Sequence, residues 1–229
     1  MNCMQVPYTN FAAQYEDERS ELMEAYQQVL EKGDFILGDA VQSFERCFAD
    51  YCQVPFALGV GSGTDALIIA LRALEIGTGD EVLTVPNSWV STASCIALVG
   101  ARPVFVDVGD NLNIDPEQIE PAITPRTRAI LPVHLTGRPA RMDKIHAVAQ
   151  RHGLYVIEDA AQAVGAGYRG QRTGSLGHLG CFSLHPLKNL NACGDGGASA
   201  AGSSAAPAAP PANAADADAD APDALDAVP

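Results

Sequence analysis

A chain of 229 residues, 47% of them hydrophobic, can form one large α/β domain, with or without an appendage. Its formal net charge of −14 excludes a nucleic-acid partner, which would require a basic face. Five of those negatives, Asp216, Asp218, Asp220, Asp223 and Asp226, stand in a C-terminal stretch without Lys or Arg, and the remaining −9 is an ordinary acidic cytosolic surface. No apolar run reaches the roughly 20 residues that span a bilayer, and residues 1–10 carry neither the basic nor the apolar part of an export signal. The six cysteines (3, 47, 52, 95, 181, 193) lack paired spacing, and no metal-binding spacing accompanies the five histidines. The expectation is a reduced, cytoplasmic protein with no metal and no membrane partner.

Tyr15 to Glu31 places Leu22, Ala25, Tyr26, Val29 and Leu30 at helical spacing, predicting a helix with one buried stripe that Gly33 ends. Ala40 to Tyr51 repeats the pattern with Val41, Phe44, Phe48 and Tyr51. From Phe56 onward short apolar runs recur at 56–60, 81–85, 103–107, 129–133, 154–158 and 180–184, with helix-like segments at 64–75, 89–99 and 141–152. Strand and helix alternating at this cadence predict an α/β fold, a mainly parallel sheet with helices on both faces. The chain divides into a helical segment (1–55), an α/β domain (56–198) and an Ala/Pro/Asp-rich tail (199–229). That tail has almost no large apolar side chain, so it is expected to stay disordered.

In parallel sheets ligands bind beyond the carboxyl ends of the strands, so the residues following each run carry the chemistry. After the first run, Gly61, Ser62, Gly63 and Thr64 open a helix whose free N–H groups and dipole suit a phosphate. Gly61, Gly63 and Ala66 also fit the G-x-G-x-x-A pattern of a nicotinamide-dinucleotide site. That site wants an acid at the end of the next strand, which instead reads Val85, Pro86, Asn87; Asp80 and Glu81 stand at its start. After the second run comes the single tryptophan, Trp89, either a core residue or an aromatic that stacks on a flat ring. Residues 154–158 deliver Asp159, a carboxylate that is costly at the end of a buried strand unless partnered; a protonated pyridine nitrogen would be such a partner. Gln162 follows three residues on, and Ser183 offers a hydroxyl near the end of the last run.

Beyond Ser183 comes Lys188, one of three lysines, on a turn flanked by Pro186 and by Gly194, Gly196 and Gly197. It reads either as a solvated loop lysine or as a Schiff-base lysine, since partial burial favours the neutral, nucleophilic amine. The three glycines are expected where the backbone turns in conformations closed to residues with a β-carbon. Phosphate cradle, stacking aromatic, carboxylate, hydroxyl and lysine, in order along one sheet edge, together describe a pyridoxal 5'-phosphate site.

The chain here resembles the DegT/DnrJ/EryC1/StrS family of sugar aminotransferases, in the aspartate-aminotransferase superfamily, from about Phe35 to Ala198. The resemblance is carried by GSGTDAL (61–67), GTGDEVLTVPNSWVSTA (77–93), GARPVFVDV (100–108), TPRTRAILPVHLTG (124–137), IEDAAQAVGAGYRGQRTGSLG (157–177) and FSLHPLKNLNACGDGG (182–197). It implies the large domain of a fold type I pyridoxal-phosphate transferase. It further implies that Lys188 bonds to the cofactor and later shuttles a proton, and that Asp159 pairs with the ring nitrogen. Trp89 would stack on the ring, Gln162 reach its phenolic oxygen, and Ser183, Gly63 and Thr64 hold the phosphate. The implied reaction moves an amino group, usually from glutamate, to a keto group of a nucleotide-linked deoxysugar, with a homodimer as the family's assembly. A sister branch that dehydrates such sugars has histidine where Lys188 stands here.

After Gly197 the family continues with a hydrophobic strand, further helices and a small C-terminal domain, whereas this chain reads Ala198, Ser199, Ala200, Ala201, Gly202. Such a segment has little β propensity, and the change to Ala/Pro/Asp text reads as a shifted frame or a truncated copy lacking the small domain. Three functions are therefore open: a sugar aminotransferase, an inactive fragment or pseudoenzyme that at most binds pyridoxal phosphate, and a nicotinamide-dependent enzyme.

Overall fold

The computed structural model describes Val6 and residues 9–202. Two helices lead in, α1 (Phe11–Lys32) and α2 (Asp39–Cys52), followed by β1 (Phe56–Val60), α3 (Gly63–Ala73), β2 (Glu81–Thr84), α4 (Ser91–Leu98) and β3 (Arg102–Phe105). A short α5 (Pro116–Ile119) precedes β4 (Thr127–Ile130), α6 (Met142–His152) and β5 (Tyr155–Asp159). The hairpin β6 (Gly167–Tyr168) and β7 (Gln171–Arg172) then leads to β8 (Leu179–Ser183) and β9 (Gly197–Ala201).

Seven strands form one sheet in the order β1-β9-β8-β5-β4-β2-β3. The neighbours β3, β2, β4, β5 and β8 are all parallel, and β9 runs antiparallel to both β8 and β1. The carboxyl ends of β1, β2, β4, β5 and β8 thus share one edge. The central strands are covered on both faces, so they read as apolar runs without alternation: Val82, Leu83, Ala129, Ile130, Val156 and Ile157 are all fully buried. On one face α2 sets Phe48 edge-on to Phe182 at 4.9 Å, with Ala198 and Ala200 in the same cluster. On the other, Ser199 sends its hydroxyl to Ala66 O of α3. Alternate residues of β9 therefore meet helices on opposite faces.

Two expectations are corrected. Order does not stop at Ala198: Ser199 to Ala201 continue β9, paired residue for residue with Phe56–Leu58 and with Leu179–Cys181. A strand inserted between two others is held by ladder bonds on both sides, and small side chains suit a site where neighbouring backbones close in. A Cβ at Gly202 would lie 2.3 Å from Gly177 O. The rest of the expected tail, residues 203–229, lies outside the described residues. The second correction concerns α1. Gly33 does cap it in the left-handed conformation, but none of its residues is buried, and Tyr26 and Leu30 are largely exposed. Among the described residues nothing buries the stripe, and only Leu22 and Val29 of it are half-covered. Gln14, which donates to Asn191 Oδ1 at 3.3 Å, ties α1 to the loop that carries Lys188.

At the opposite edge, Glu81 opens β2 with its side chain only 1% exposed. Burial works against its ionisation, but hydrogen bonds from Thr124, Arg102 and Arg126 outweigh burial and bring its pKa down to about 2. A carboxylate whose pKa is depressed on folding stabilises the protein above its unfolded value and loses that contribution as pH falls through the folded one. This part of the stability should be complete above the ordinary value of 4.5 and should disappear as the pH approaches about 2. Both arginines are more than half exposed, which screens the pairs, so Glu81→Gln should cost about 1–2 kcal/mol at neutral pH. Denaturant unfolding at pH 7 and pH 3 checks both statements: the variant should be weaker at pH 7 and show a smaller loss on acidification.

Candidate active site

A cavity of about 520 Å³ opens at the shared carboxyl edge, and Gly63, Thr64, Trp89, Asp159, Gln162, Ser183 and Lys188 all line it. These are the seven residues singled out from the sequence, delivered there by β1, β2, β5 and β8 and the turns that follow them.

At one end is the start of α3. Ser62 caps it, its hydroxyl oxygen accepting from Asp65 N–H at 3.0 Å and its carbonyl from Ala66 N–H at 3.0 Å. The first N–H groups of a helix have no partner within it, so those of Gly63 and Thr64 are left for an outside acceptor at the positive end of the dipole. Thr64 Oγ1 donates to Ser91 Oγ at 2.8 Å, fixing its rotamer. Ser183 packs so closely that a Cβ on Gly63 would stand 2.7 Å from its own Cβ. Of the three glycines after Lys188, none takes a positive φ, contrary to expectation. Gly197 is required by space: a Cβ there would lie 2.4 Å from Ser62 O, whereas one on Gly194 would meet nothing within 4 Å. Only Gly197 permits a close backbone approach, and none of the three is needed for an unusual turn.

At the other end is Asp159, 6% exposed. Its Oδ2 accepts from Thr92 Oγ1 at 2.8 Å and its Oδ1 from Ala161 N–H at 3.2 Å. Burial pushes its pKa up, against the Thr92 and Ala161 hydrogen bonds and the charge of Lys188, so its own surroundings under-provide for the anion. A cationic ring nitrogen is the kind of partner such a carboxylate accepts. Anion-binding N–H groups, a hydroxyl, a carboxylate short of positive charge and a lysine around one cavity fit pyridoxal phosphate.

Lys188 is half-buried on a well-tied loop. Its N–H donates to His185 O at 2.8 Å, Asn189 reaches Val164 O at 2.9 Å, and Asn191 reaches Pro186 O at 3.0 Å. Trp89 stands two residues ahead of α4, not at its opening, and is 72% exposed, which removes the core reading. Gln162 is half-buried on the turn after β5. The acids near β2 do not serve a ribose, because Asp80 and Glu81 stand at its amino end and Glu81 is engaged by Arg102, Arg126 and Thr124.

Behind Asp159, the neighbouring Glu158 points the other way. Its Oε2 accepts from His134 Nε2 at 2.9 Å and Gly174 N–H at 2.9 Å, and its Oε1 from Gly177 N–H at 2.6 Å. Ala140 N–H donates to His134 Nδ1 at 3.1 Å, which places the ring proton on Nε2, facing Glu158. Sequence reasoning passed over this pair, and also over Ser88, Thr92 and His185 in the cavity wall. The available signal was the i,i+4 spacing of Ser88 and Thr92 across the start of α4. Glu158→Ala would leave the His134 ring N–H and Gly174 N–H without their acceptor. It should lower unfolding free energy by about 3–5 kcal/mol, measured by denaturant titration.

A mainly parallel sheet with this cavity at its carboxyl edge is the large-domain architecture of the fold type I pyridoxal-phosphate-dependent transferases. The chain belongs to the DegT/DnrJ/EryC1/StrS aminotransferase family, whose sequence model matches residues 16–206. It is 47% identical over 186 residues to a dTDP-3-amino-3,4,6-trideoxy-alpha-D-glucose transaminase of Streptomyces venezuelae, covering 81% of this chain and 49% of that protein. It is 49% identical over 188 residues to a UDP-N-acetyl-3-dehydro-alpha-D-glucosamine 3-aminotransferase of Acidithiobacillus ferrooxidans, covering 82% and 51% respectively. The crystal structure of S. venezuelae DesV in complex with a ketimine intermediate superposes with a TM-score of 0.85 at 47% identity, over 87% of this chain and 54% of that one. The chain thus spans about half the length of the curated relatives it matches.

Proposed function

We propose that this chain binds pyridoxal 5'-phosphate at the carboxyl edge of its sheet and carries the cofactor half of a nucleotide-sugar aminotransferase. In this reading glutamate is the amino donor and a keto group of a nucleotide-linked deoxysugar the acceptor. The observation that carries it is the convergence of Lys188, Asp159, Ser183 and the start of α3 on one cavity. Bound there, the cofactor would supply an aldehyde that takes up amino groups and a ring that delocalises charge. The N–H groups of Gly63 and Thr64 and the Ser183 hydroxyl would bind the phosphate. Asp159 would hold a proton on the ring nitrogen, Trp89 would serve the ring face, and Gln162 the phenolic oxygen. Lys188 would supply the amine that holds the cofactor and the base that moves a proton at the reacting carbon.

A second reading, cofactor binding without transfer, is favoured by the exposure of the site's rim. Trp89 and Leu187 are 72% and 56% exposed, and amino transfer needs a cavity that excludes water. Formation of 2-oxoglutarate from glutamate by the loaded protein separates the two.

Mixing the protein with pyridoxal phosphate should produce a new absorbance band, and borohydride should then fix the cofactor's mass on the peptide containing Lys188. Lys188→Ala should lose both the band and the adduct. Asp159→Asn should keep the adduct with weaker affinity, by roughly tenfold. An adduct on Lys32 or Lys144 alone, or an unchanged spectrum in the lysine variant, would refute the assignment.

A further inference from the structure

Asp159 is held through more than its direct neighbour. Thr92 donates its hydroxyl proton to Asp159 Oδ2 at 2.8 Å, and Thr92 Oγ1 lies 2.8 Å from Ser88 Oγ. A hydroxyl carries one proton and two lone pairs. While Asp159 is ionised the Thr92 proton is committed to it, so Ser88 must be the donor to Thr92. If Oδ2 were protonated, both bonds would have to reverse. The order of donors along the chain therefore follows the charge state of Asp159.

We propose that Ser88 and Thr92 form a two-hydroxyl relay that keeps Asp159 an oriented carboxylate, with Ser88 its end at the cavity wall. The part of this that concerns the cofactor rests on the pyridoxal-phosphate reading; the effect on Asp159 does not. Thr92 is 1% exposed, so its hydroxyl has no access to bulk water and its rotamer is set by these two partners. Ser88 is half-buried and lines the cavity. The spacing is produced locally: Thr92 N–H bonds to Trp89 O at 3.0 Å and Ser94 N–H to Val90 O at 2.8 Å, winding the start of α4 so that residues 88 and 92 face each other.

The groups that act on Asp159 come from four elements. Lys188 on its loop favours the anion, and His134 beyond β4 turns its ring N–H to Glu158. Cys95 of α4 and Cys181 of β8 face it as neutral thiols, their ionisation suppressed by burial first and then by the Asp159 charge. Against that burial, hydroxyl donation is the leading local contribution that keeps Asp159 charged. Thr92 and Ser88 are positioning residues, acting on the ring nitrogen only through Asp159.

The test uses the full chain. Carboxyl carbon-13 resonances of aspartate-labelled protein are titrated in wild type, Thr92→Val, Thr92→Ser and Ser88→Ala, the Asp159 signal being assigned by its loss in Asp159→Asn. Pyridoxal phosphate affinity is measured on the same samples by absorbance. Thr92→Val should move the Asp159 midpoint upward by about one pH unit and weaken cofactor affinity about tenfold. Thr92→Ser should restore both to within about twofold, and Ser88→Ala should shift the midpoint upward by a smaller amount. A structural role for Thr92 alone would leave the midpoint in place. An unmoved midpoint in Thr92→Val, or in Ser88→Ala should the valine variant not fold, overturns the relay. A moved midpoint in a protein that does not bind pyridoxal phosphate supports the relay and removes the functional reading instead.

Discussion

Three backbone segments meet at less than a side chain's width where β1, β8 and β9 reach the same sheet edge, and the site depends on that approach. Gly63 lies against Ser183, and Gly197 against Ser62, at separations that no Cβ could occupy. The approach exists because β9 enters between β1 and β8, closing the sheet beneath the start of α3. It places the helix N-terminus and the Ser183 hydroxyl side by side without using a flexible loop for either. The groups proposed to hold a phosphate are thus positioned by ladder hydrogen bonds and helix packing, the most rigid parts of the fold.

Adjacent carboxylates at the end of β5 show how one strand separates structural from chemical duty. Successive side chains point to opposite faces, so Glu158 and Asp159 meet unrelated surroundings. Glu158 faces inward and is satisfied by His134 and two backbone N–H groups. Asp159 faces the cavity, with one hydroxyl, one backbone N–H and a pKa pushed up by burial. The first is a finished network that anchors the strand. The second is a carboxylate with capacity left for a cation, which is what a site for a protonated ring requires.

The surface tells a complementary story. Helix α1 buries none of its residues, Phe56 and Leu58 of β1 stand exposed, and so do Trp89 and Leu187 at the cavity. An apolar stripe read from sequence says only that a face is suited to burial; whether anything covers it is decided elsewhere. That is why the periodicity of residues 22–30 identified the helix and still misassigned its stripe to the interior. Trp89 shows the same ambiguity, since an aromatic after a strand suits either a core or a site, and only its exposure separated the two.

The sequence by itself determined the strand–helix alternation, the mainly parallel sheet and seven of the residues that line the cavity. It could do so because strand-to-helix periodicity is local and because parallel strands put their carboxyl ends on one edge by topology alone. Tertiary structure decided the rest. It made a strand of Gly197–Ala201, whose small side chains give no local β signal but suit a place between two others. It recruited Thr92, Ser88 and His134, ordinary hydroxyl and imidazole residues whose importance comes from what they face. It also assigned Gly197, among the late glycines, to close packing in place of turning. Backbone approach and hydrogen-bond partnership join residues far apart in the chain, and that information appears only when the strands are laid side by side.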